Sequence, residues 1–197
     1  MARRKQSGKS QAGRLRIVAG NWRSRLLDIA DVDGLRPTGE RIRETLFNWL
    51  APTIEGARCL DLFAGTGALG LEALSRGASG VVFVEQSAVA AQQLRRNIDI
   101  LKAQGATVRQ QDALAFLRSE PGPRFDIVFL DPPFALDALP ETCRLLAETG
   151  HLADKAMVYI EHDRSRDELP LPEGWQVLKS KTAGHVRYML AQATRSD

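Results

Sequence analysis

The chain has 197 residues, of which 44 % are hydrophobic and 26 % charged. That is the balance of a water-soluble globular protein with one core and room for a small appendage. No apolar run approaches the ~18 residues that a membrane-spanning helix needs, and the N-terminus lacks an apolar signal core, so nothing points to a membrane span or export and the cytoplasm is the expected compartment.

The net charge of +3 conceals an asymmetry. The first 25 residues hold eight Lys or Arg and no acid, which leaves 19 basic against 24 acidic groups in the remaining 172. A basic arm on a mildly acidic body is either an electrostatic footprint for nucleic acid or a solvated tail that aids solubility. Residues 1–13 are polar, without periodicity, and are expected to be a disordered basic tail.

Arg14–Val18 and Ser24–Ile29 flank a predicted turn over Ala19–Arg23, and together they read as a β-hairpin outside the main sheet. Trp22, among Arg14, Arg16, Arg23 and Arg25, is placed either to stack on a base or to pack the hairpin against the body. Thr38 is a plausible N-cap for a helix over Gly39–Leu50. Helical spacing puts Ile42, Leu46, Trp49 and Leu50 on one face, and Arg41, Arg43 and Glu44 on the other, with Arg36 just before the helix. Residues 14–52 are thus expected to form an extension of hairpin and helix, and 53–197 the main domain.

In that domain strands and helices alternate. Strands are predicted over Ala57–Phe63, Gly80–Val84, Thr107–Gln110, Phe125–Leu130 and Ala156–Ile160. The intervening helices are Ala68–Arg76, Ser87–Gln104, Ala113–Ser119 and Leu139–Glu148. The chain closes with strands Trp175–Lys181 and Val186–Ala191, joined without a helix. The pattern predicts an α/β fold: a doubly wound, mostly parallel seven-stranded sheet, Rossmann-like, with an antiparallel hairpin at one edge.

Ligands of such sheets lie across the carboxyl ends of the strands. The first strand runs through Asp61 and Phe63 into the turn Ala64-Gly65-Thr66-Gly67, and a helix follows at once. Gly65 and Gly67 let the main chain approach a ligand closely, and the helix N-terminus points its N–H groups the same way. The letters also satisfy G-x-G-x-x-G, so a nicotinamide dinucleotide competes as the ligand. Asp61 repels a pyrophosphate and suits a ligand carrying an ammonium and a sulfonium, which favours S-adenosyl-L-methionine (AdoMet). The second strand ends at Glu85, placed to accept hydrogen bonds from two ribose hydroxyls, with Gln86 beside it. The third is followed by Asp112 and Ala113, placed for an adenine amino group and ring. Each acid alone reads equally as a helix cap.

The fourth strand ends in Asp131-Pro132-Pro133-Phe134. The prolines fix a rigid turn with free carbonyls. A carboxylate and a carbonyl accepting the two protons of an exocyclic amine can hold it in line with a sulfonium methyl, while an aromatic ring stacks the base. Glu161, ending the fifth strand, either lines the pocket or is an exposed strand end, and the second is the safer reading. His151, His162 and His185 share no metal-ligand spacing, and no metal is expected. Cys59 and Cys143 read as small buried side chains of a reducing compartment.

Asp61-Leu-Phe-Ala-Gly-Thr-Gly67 followed by Asp131-Pro-Pro-Phe134 resembles the class I AdoMet-dependent amino-methyltransferases. The stretch Arg36-Pro-Thr-Gly-Glu-Arg-Ile-Arg-Glu-Thr-Leu-Phe-Asn-Trp-Leu50 and the ending Gly184-His-Val-Arg-Tyr188 resemble the bacterial RsmD family, which methylates N2 of a guanine in 16S ribosomal RNA. The likeness runs from about Leu15 to Leu190. It implies that Asp131 and Pro132 hold the guanine amine and that Phe134 stacks on the base. It places AdoMet against Asp61, Gly65, Gly67, Glu85, Asp112 and Ala113. It also implies a substrate within an assembling small-subunit particle, which suits the basic arm and hairpin; Arg36 and Arg41 are further candidates for RNA contact, and a monomer is expected. Three alternatives stand beside it: adenine-N6 methylation of DNA, a dinucleotide-binding oxidoreductase, and a non-catalytic ribosome assembly factor.

Overall fold

The computed structural model of the chain describes residues 13–133, 137–165 and 169–194. All but Gly13 of the expected basic tail lies outside them. Strands β1 (Arg14–Arg16) and β2 (Leu26–Asp28) pair antiparallel as a separate two-stranded sheet. Helix α1 (Glu40–Leu50) follows. The main domain then alternates β3 (Arg58–Asp61), α2 (Ala68–Ser75), β4 (Gly80–Val84), α3 (Ala88–Leu101), β5 (Ala106–Arg109), α4 (Ala113–Arg118), β6 (Phe125–Leu130), α5 (Leu139–Glu148) and β7 (Leu152–Asp163). It closes with β8 (Trp175–Ala183) and β9 (Val186–Ala193).

The seven-stranded sheet has the order β5-β4-β3-β6-β7-β9-β8. Strands β3 to β7 run parallel, whereas β9 pairs antiparallel with both β7 and β8. The closing pair is therefore the antiparallel edge that the missing crossover helix implies. Strand β7 is longer than its apolar run. Phe125 pairs with Leu152 but Ile127 with Met157, so the ladder slips, and Lys155 takes a left-handed conformation (φ 56°). The polar Asp154-Lys155 bulge hides the start of the strand from a pattern search.

Both faces of the sheet are covered at its centre, over β3, β6 and the second half of β7, which is why these stretches read as apolar runs, whereas the edge strand β8 is polar and exposed. On one side Cys59, Ile127, Phe129 and Tyr159 pack with Leu46 and Phe47 of α1, Leu71 of α2 and Leu94 of α3. On the other, Leu60, Val128, Leu130 and Ile160 pack with Leu117 of α4 and Cys143 and Leu146 of α5. Alternate residues of one strand thus serve opposite layers.

The extension is fastened by a carboxylate that the sequence places in an apolar helix. Glu72 of α2 is 0 % exposed. It accepts hydrogen bonds from the Val18 and Ala19 backbone N–H groups at 2.8 and 2.9 Å, from an Arg43 terminal nitrogen at 3.1 Å and from Arg76 Nε at 2.8 Å. Arg43 is 1 % exposed, which corrects its expected place on the solvent face of α1. A guanidinium can turn inward because a buried carboxylate waits there, and helical periodicity alone does not reveal that partner. Gly20 (φ 80°) lets the hairpin turn close on α2, since a Cβ there would lie 1.9 Å from the Ser75 carbonyl oxygen. Ser75 Oγ donates to the Ala19 carbonyl and accepts from the Trp22 N–H. Trp22 is half-buried against the core, which is the packing alternative for that side chain.

Candidate active site

The strand order reverses between β3 and β6, where the chain leaves one half of the sheet for the other. Crossover connections diverge there and open a crevice outside the carboxyl ends of the strands. A cavity of about 980 Å³ occupies this place. Its floor is the turn after β3, the ends of β4, β6 and β7 and the start of α4, and its outer wall is the loop 32–39 that joins hairpin to α1.

Of the residues expected to hold a cofactor, Asp61, Phe63, Gly65, Glu85, Gln86, Asp112 and Ala113 line this one cavity, as do Asp131, Pro132 and Arg36. Gly67 is not among the lining residues. It stands beneath the turn (φ 78°), where a Cβ would lie 2.4 Å from Leu94 Cδ1, so its freedom serves the packing of α2 on α3. Phe134 lies outside the described residues. Arg14, Arg16, Arg23, Arg25 and Arg41 are exposed on the extension, and none of them or Trp22 lines the cavity. Arg14 and Arg16 reach Asp28 and Glu40 at 3.7 and 3.5 Å, both exposed pairs.

The turn is held by its neighbours across the crevice. Gly65 and Ser87 both donate their backbone N–H to Glu85, at 2.7 Å, so this carboxylate braces the glycine turn and keeps its remaining lone pairs for a ligand. Gly65 (φ 52°) faces Leu35 of the outer wall, whose Cδ1 would be 3.1 Å from a Cβ at that position. Asp112 caps α4 by accepting the Ala115 N–H at 2.8 Å. Ala113 opens that helix, so its N–H has no intrahelical acceptor and is free for a ligand.

Three carboxyl groups converge behind the turn. Asp61 is buried and accepts the Gly70 N–H at 3.0 Å. Burial first, then the nearby Asp131 and Glu85 charges, push its carboxyl up to about 7 against the relief of that bond. Burial pushes Asp131 up to about 6, and a hydrogen bond from the Thr38 hydroxyl (2.9 Å to Oδ2) opposes the rise. Glu161 is pushed up to about 8 by burial and by Asp131, against a 2.7 Å hydrogen bond that the Tyr159 hydroxyl donates to Oε2.

Glu161 is 6 % exposed and lines the cavity, which corrects its reading as an exposed strand end. Leu130 and Ile160 are register partners, so the residues that follow them, Asp131 and Glu161, stand side by side. The available signal was its spacing of two from the buried Tyr159, which puts both on one face of β7. Thr38 is corrected as well. Gly39 occupies the N-cap of α1 without a side-chain cap, and the Thr38 hydroxyl goes to Asp131, 93 residues away. Among the described residues no group of three or more His, Cys, Asp or Glu is arranged to hold a metal ion.

The raised carboxyls make stability depend on pH. Glu161 titrates near 4.5 when unfolded and near 8 when folded, so the native state binds its proton more tightly, and stability attributable to this group falls as pH rises from about 4.5 to 8. Thermal melts at pH 6 and pH 8 should show Glu161→Gln losing less stability than the parent over that interval. Parallel losses in the two proteins would refute the assignment.

The model of the family described as Conserved hypothetical protein 95 matches residues 15–192. The ribosomal RNA small subunit methyltransferase D of Escherichia coli (strain K12) is 47 % identical over 188 residues, 95 % of this chain and 94 % of that protein. The chain belongs to the RsmD family. The protein of the same name from Haemophilus influenzae is 46 % identical, over 91 % of this chain and 94 % of its own length. The solved structure of Escherichia coli yhhF superposes with a TM-score of 0.88 at 45 % identity, covering 93 % of this chain and all of that one. The two stretches that resemble the RsmD family meet in space: Trp49 of α1 stacks on Tyr188 of β9, with ring centroids 5.5 Å apart. The first of them also supplies Arg36 and Thr38 to the cavity and the buried Arg43 to the anchor on α2.

Proposed function

We propose that this chain transfers a methyl group from AdoMet to the exocyclic N2 amine of a guanine in 16S ribosomal RNA, on a small-subunit particle in the cytoplasm. One observation carries the reading: Asp131 and Pro132 stand in the same cavity as the braced glycine turn, at the point where the strand order reverses. Family membership and the name of its Escherichia coli relative supply the substrate class.

The residues present fit the cofactor. Gly65 leaves a cradle open to a close approach, and Glu85, Asp112 and the Ala113 N–H supply two acceptors and a donor for ribose and adenine. The buried Asp61 and Glu161 carboxyls and the half-buried Asp131 favour a cationic ligand and disfavour a dinucleotide pyrophosphate. When bound, AdoMet supplies a methyl group on a sulfonium that is already an activated leaving group. The protein's task is then to bind, orient and exclude water. Asp131 and the Pro132 carbonyl accept the two amine protons, which turns the nitrogen lone pair toward the methyl and stabilises the charge that develops on it. Phe134 is assigned to stack the base. The proton of the methylated amine, strongly acidic once the bond has formed, passes to Asp131 or to water.

Arg14, Arg16, Arg23, Arg25, Arg36 and Arg41 are assigned to the RNA, with Trp22 packing the hairpin segment that carries the first four of them against the body. Exchanging Arg14, Arg16 and Arg23 for Ala should lower the magnitude of the log–log salt slope of RNA binding by roughly 2, from a loss of ~0.7–0.9 per phosphate contact. AdoMet affinity should stay within twofold, because none of the three lines the cavity. An unchanged slope would remove the hairpin from the RNA interface. The reading as a whole is tested by incubating the protein with labelled AdoMet and 30S particles from cells that lack the enzyme, then analysing the nucleosides. Label in N2-methylguanosine is expected, and label in N6-methyladenosine would overturn the substrate.

A further inference from the structure

We propose that Thr38 is a positioning residue for methyl transfer: its hydroxyl holds the Asp131 carboxylate, and the buried Arg43–Glu72 pair holds Thr38. The inference rests on the reading of Asp131 given above. Thr38 is 9 % exposed and stands at the seam between the extension and the catalytic cavity. Its Oγ1 donates to Asp131 Oδ2 at 2.9 Å, which commits one carboxylate oxygen and leaves Oδ1 to accept a substrate proton. Its carbonyl accepts Arg43 Nε at 3.0 Å. The other end of the Arg43 guanidinium is tied to Glu72 at 3.1 Å, and Glu72 also accepts the Val18 and Ala19 N–H groups. Thr38 is thereby fixed at both its backbone and its side chain, and the pair that holds its backbone is buried.

A group held in this way does something that packing alone does not. A carboxylate at a strand end is free to rotate about its last bond, and an acceptor that rotates does not aim a lone pair. A hydroxyl donor selects one orientation and favours the ionised, proton-accepting form. That bias opposes the burial of Asp131 and the charges facing it, which are Asp61 at the end of β3 and Glu161, hydrogen-bonded by Tyr159, on β7. The extension that carries the RNA-facing arginines therefore also completes the catalytic group. This accounts for a threonine at the end of a loop whose local geometry leaves it no helix to cap.

The test compares Thr38→Val, which keeps the shape and removes the donor, with Thr38→Ser, which restores it, and Thr38→Ala as a second donorless variant should Val not fold. Steady-state methylation of 30S particles is followed across pH, with thermal melts as a folding control. Thr38→Val should lower kcat about tenfold or more, with KM for AdoMet and for particles within about twofold. The acid limb of its kcat profile should move to higher pH, because the group that lowers the Asp131 pKa is gone. Thr38→Ser should recover most of both. Parental kcat and acid limb in Thr38→Val or Thr38→Ala overturn the inference, as does an equal loss in Thr38→Ser. Asp131→Asn is assayed alongside. If that variant stays active, the reading of Asp131 itself fails and the inference falls with it. If it is inactive while Thr38→Val matches the parent, only the role of Thr38 is refuted.

Discussion

Asp131→Asn should lower methyl transfer by about 10²–10³-fold, roughly 2.7–4 kcal/mol of transition-state stabilisation, while AdoMet affinity changes by less than about threefold. The substitution keeps the size of the side chain and removes its charge. Thr38 Oγ1 still requires an acceptor, so the Asn carbonyl turns toward it and the amide NH₂ faces the substrate amine. A donor then meets a donor, and the lone pair loses its guide. Single-turnover transfer from labelled AdoMet checks the rate, and equilibrium dialysis checks the cofactor. The same exchange should raise the stability of the ligand-free protein at pH 8. Asp131 titrates near 6 when folded, above its unfolded value, so the carboxylate costs stability wherever the pH exceeds that window. A variant that is both less active and more stable is the signature of a group kept for function. Activity within tenfold of the parent would remove Asp131 from the chemistry.

Glu72→Ala should destabilise the protein by about 3–5 kcal/mol, the range for breaking a buried ion pair by removing one partner. The cost is large because Arg43 and Arg76 lose their counter-charge and two hairpin N–H groups lose their acceptor at once. Burial already holds the Arg43 pKa below its usual range, and the Glu72 charge is the largest influence that restores it. Urea unfolding measures the loss directly, and the midpoint of a thermal melt should fall by roughly 10 °C. The double variant Glu72→Leu/Arg43→Met should recover part of the stability, since the buried Arg43 charge is removed with its partner, while Arg76 and the Val18 and Ala19 N–H groups still lack their acceptor. A loss below about 1 kcal/mol in Glu72→Ala would mean that water replaces the carboxylate and that the extension is held by its apolar contacts alone.

These two residues mark the boundary between what local sequence rules reach and what they miss. The parallel sheet, the glycine turn, the acids at the strand ends and the Asp131-Pro132-Pro133 turn were all readable, because each depends on neighbours within a few positions. Apolar runs of four to six residues identify doubly covered strands, and a turn that needs positive φ calls for glycine at Gly65. Asp61, Glu85, Asp112 and Asp131 meet in one cavity because parallel strands end on the same side of the sheet, at the place where the strand order reverses.

The misplaced polar side chains all have partners far along the chain. Arg43 follows the helical pattern of an exposed residue, and only the fold brings it to Glu72, 29 positions away. Thr38 has the chemistry of a cap, and only the fold offers it Asp131. Glu161 reads as a strand end, and only the sheet register sets it beside Asp131. Hydrophobic periodicity and turn geometry are local, so the layers, the strand ends and the acids that stand at them are legible in the chain. Which charges are buried, and what each one holds, is set by the fold. A buried polar group is stable only with a partner, and that partner is chosen in space.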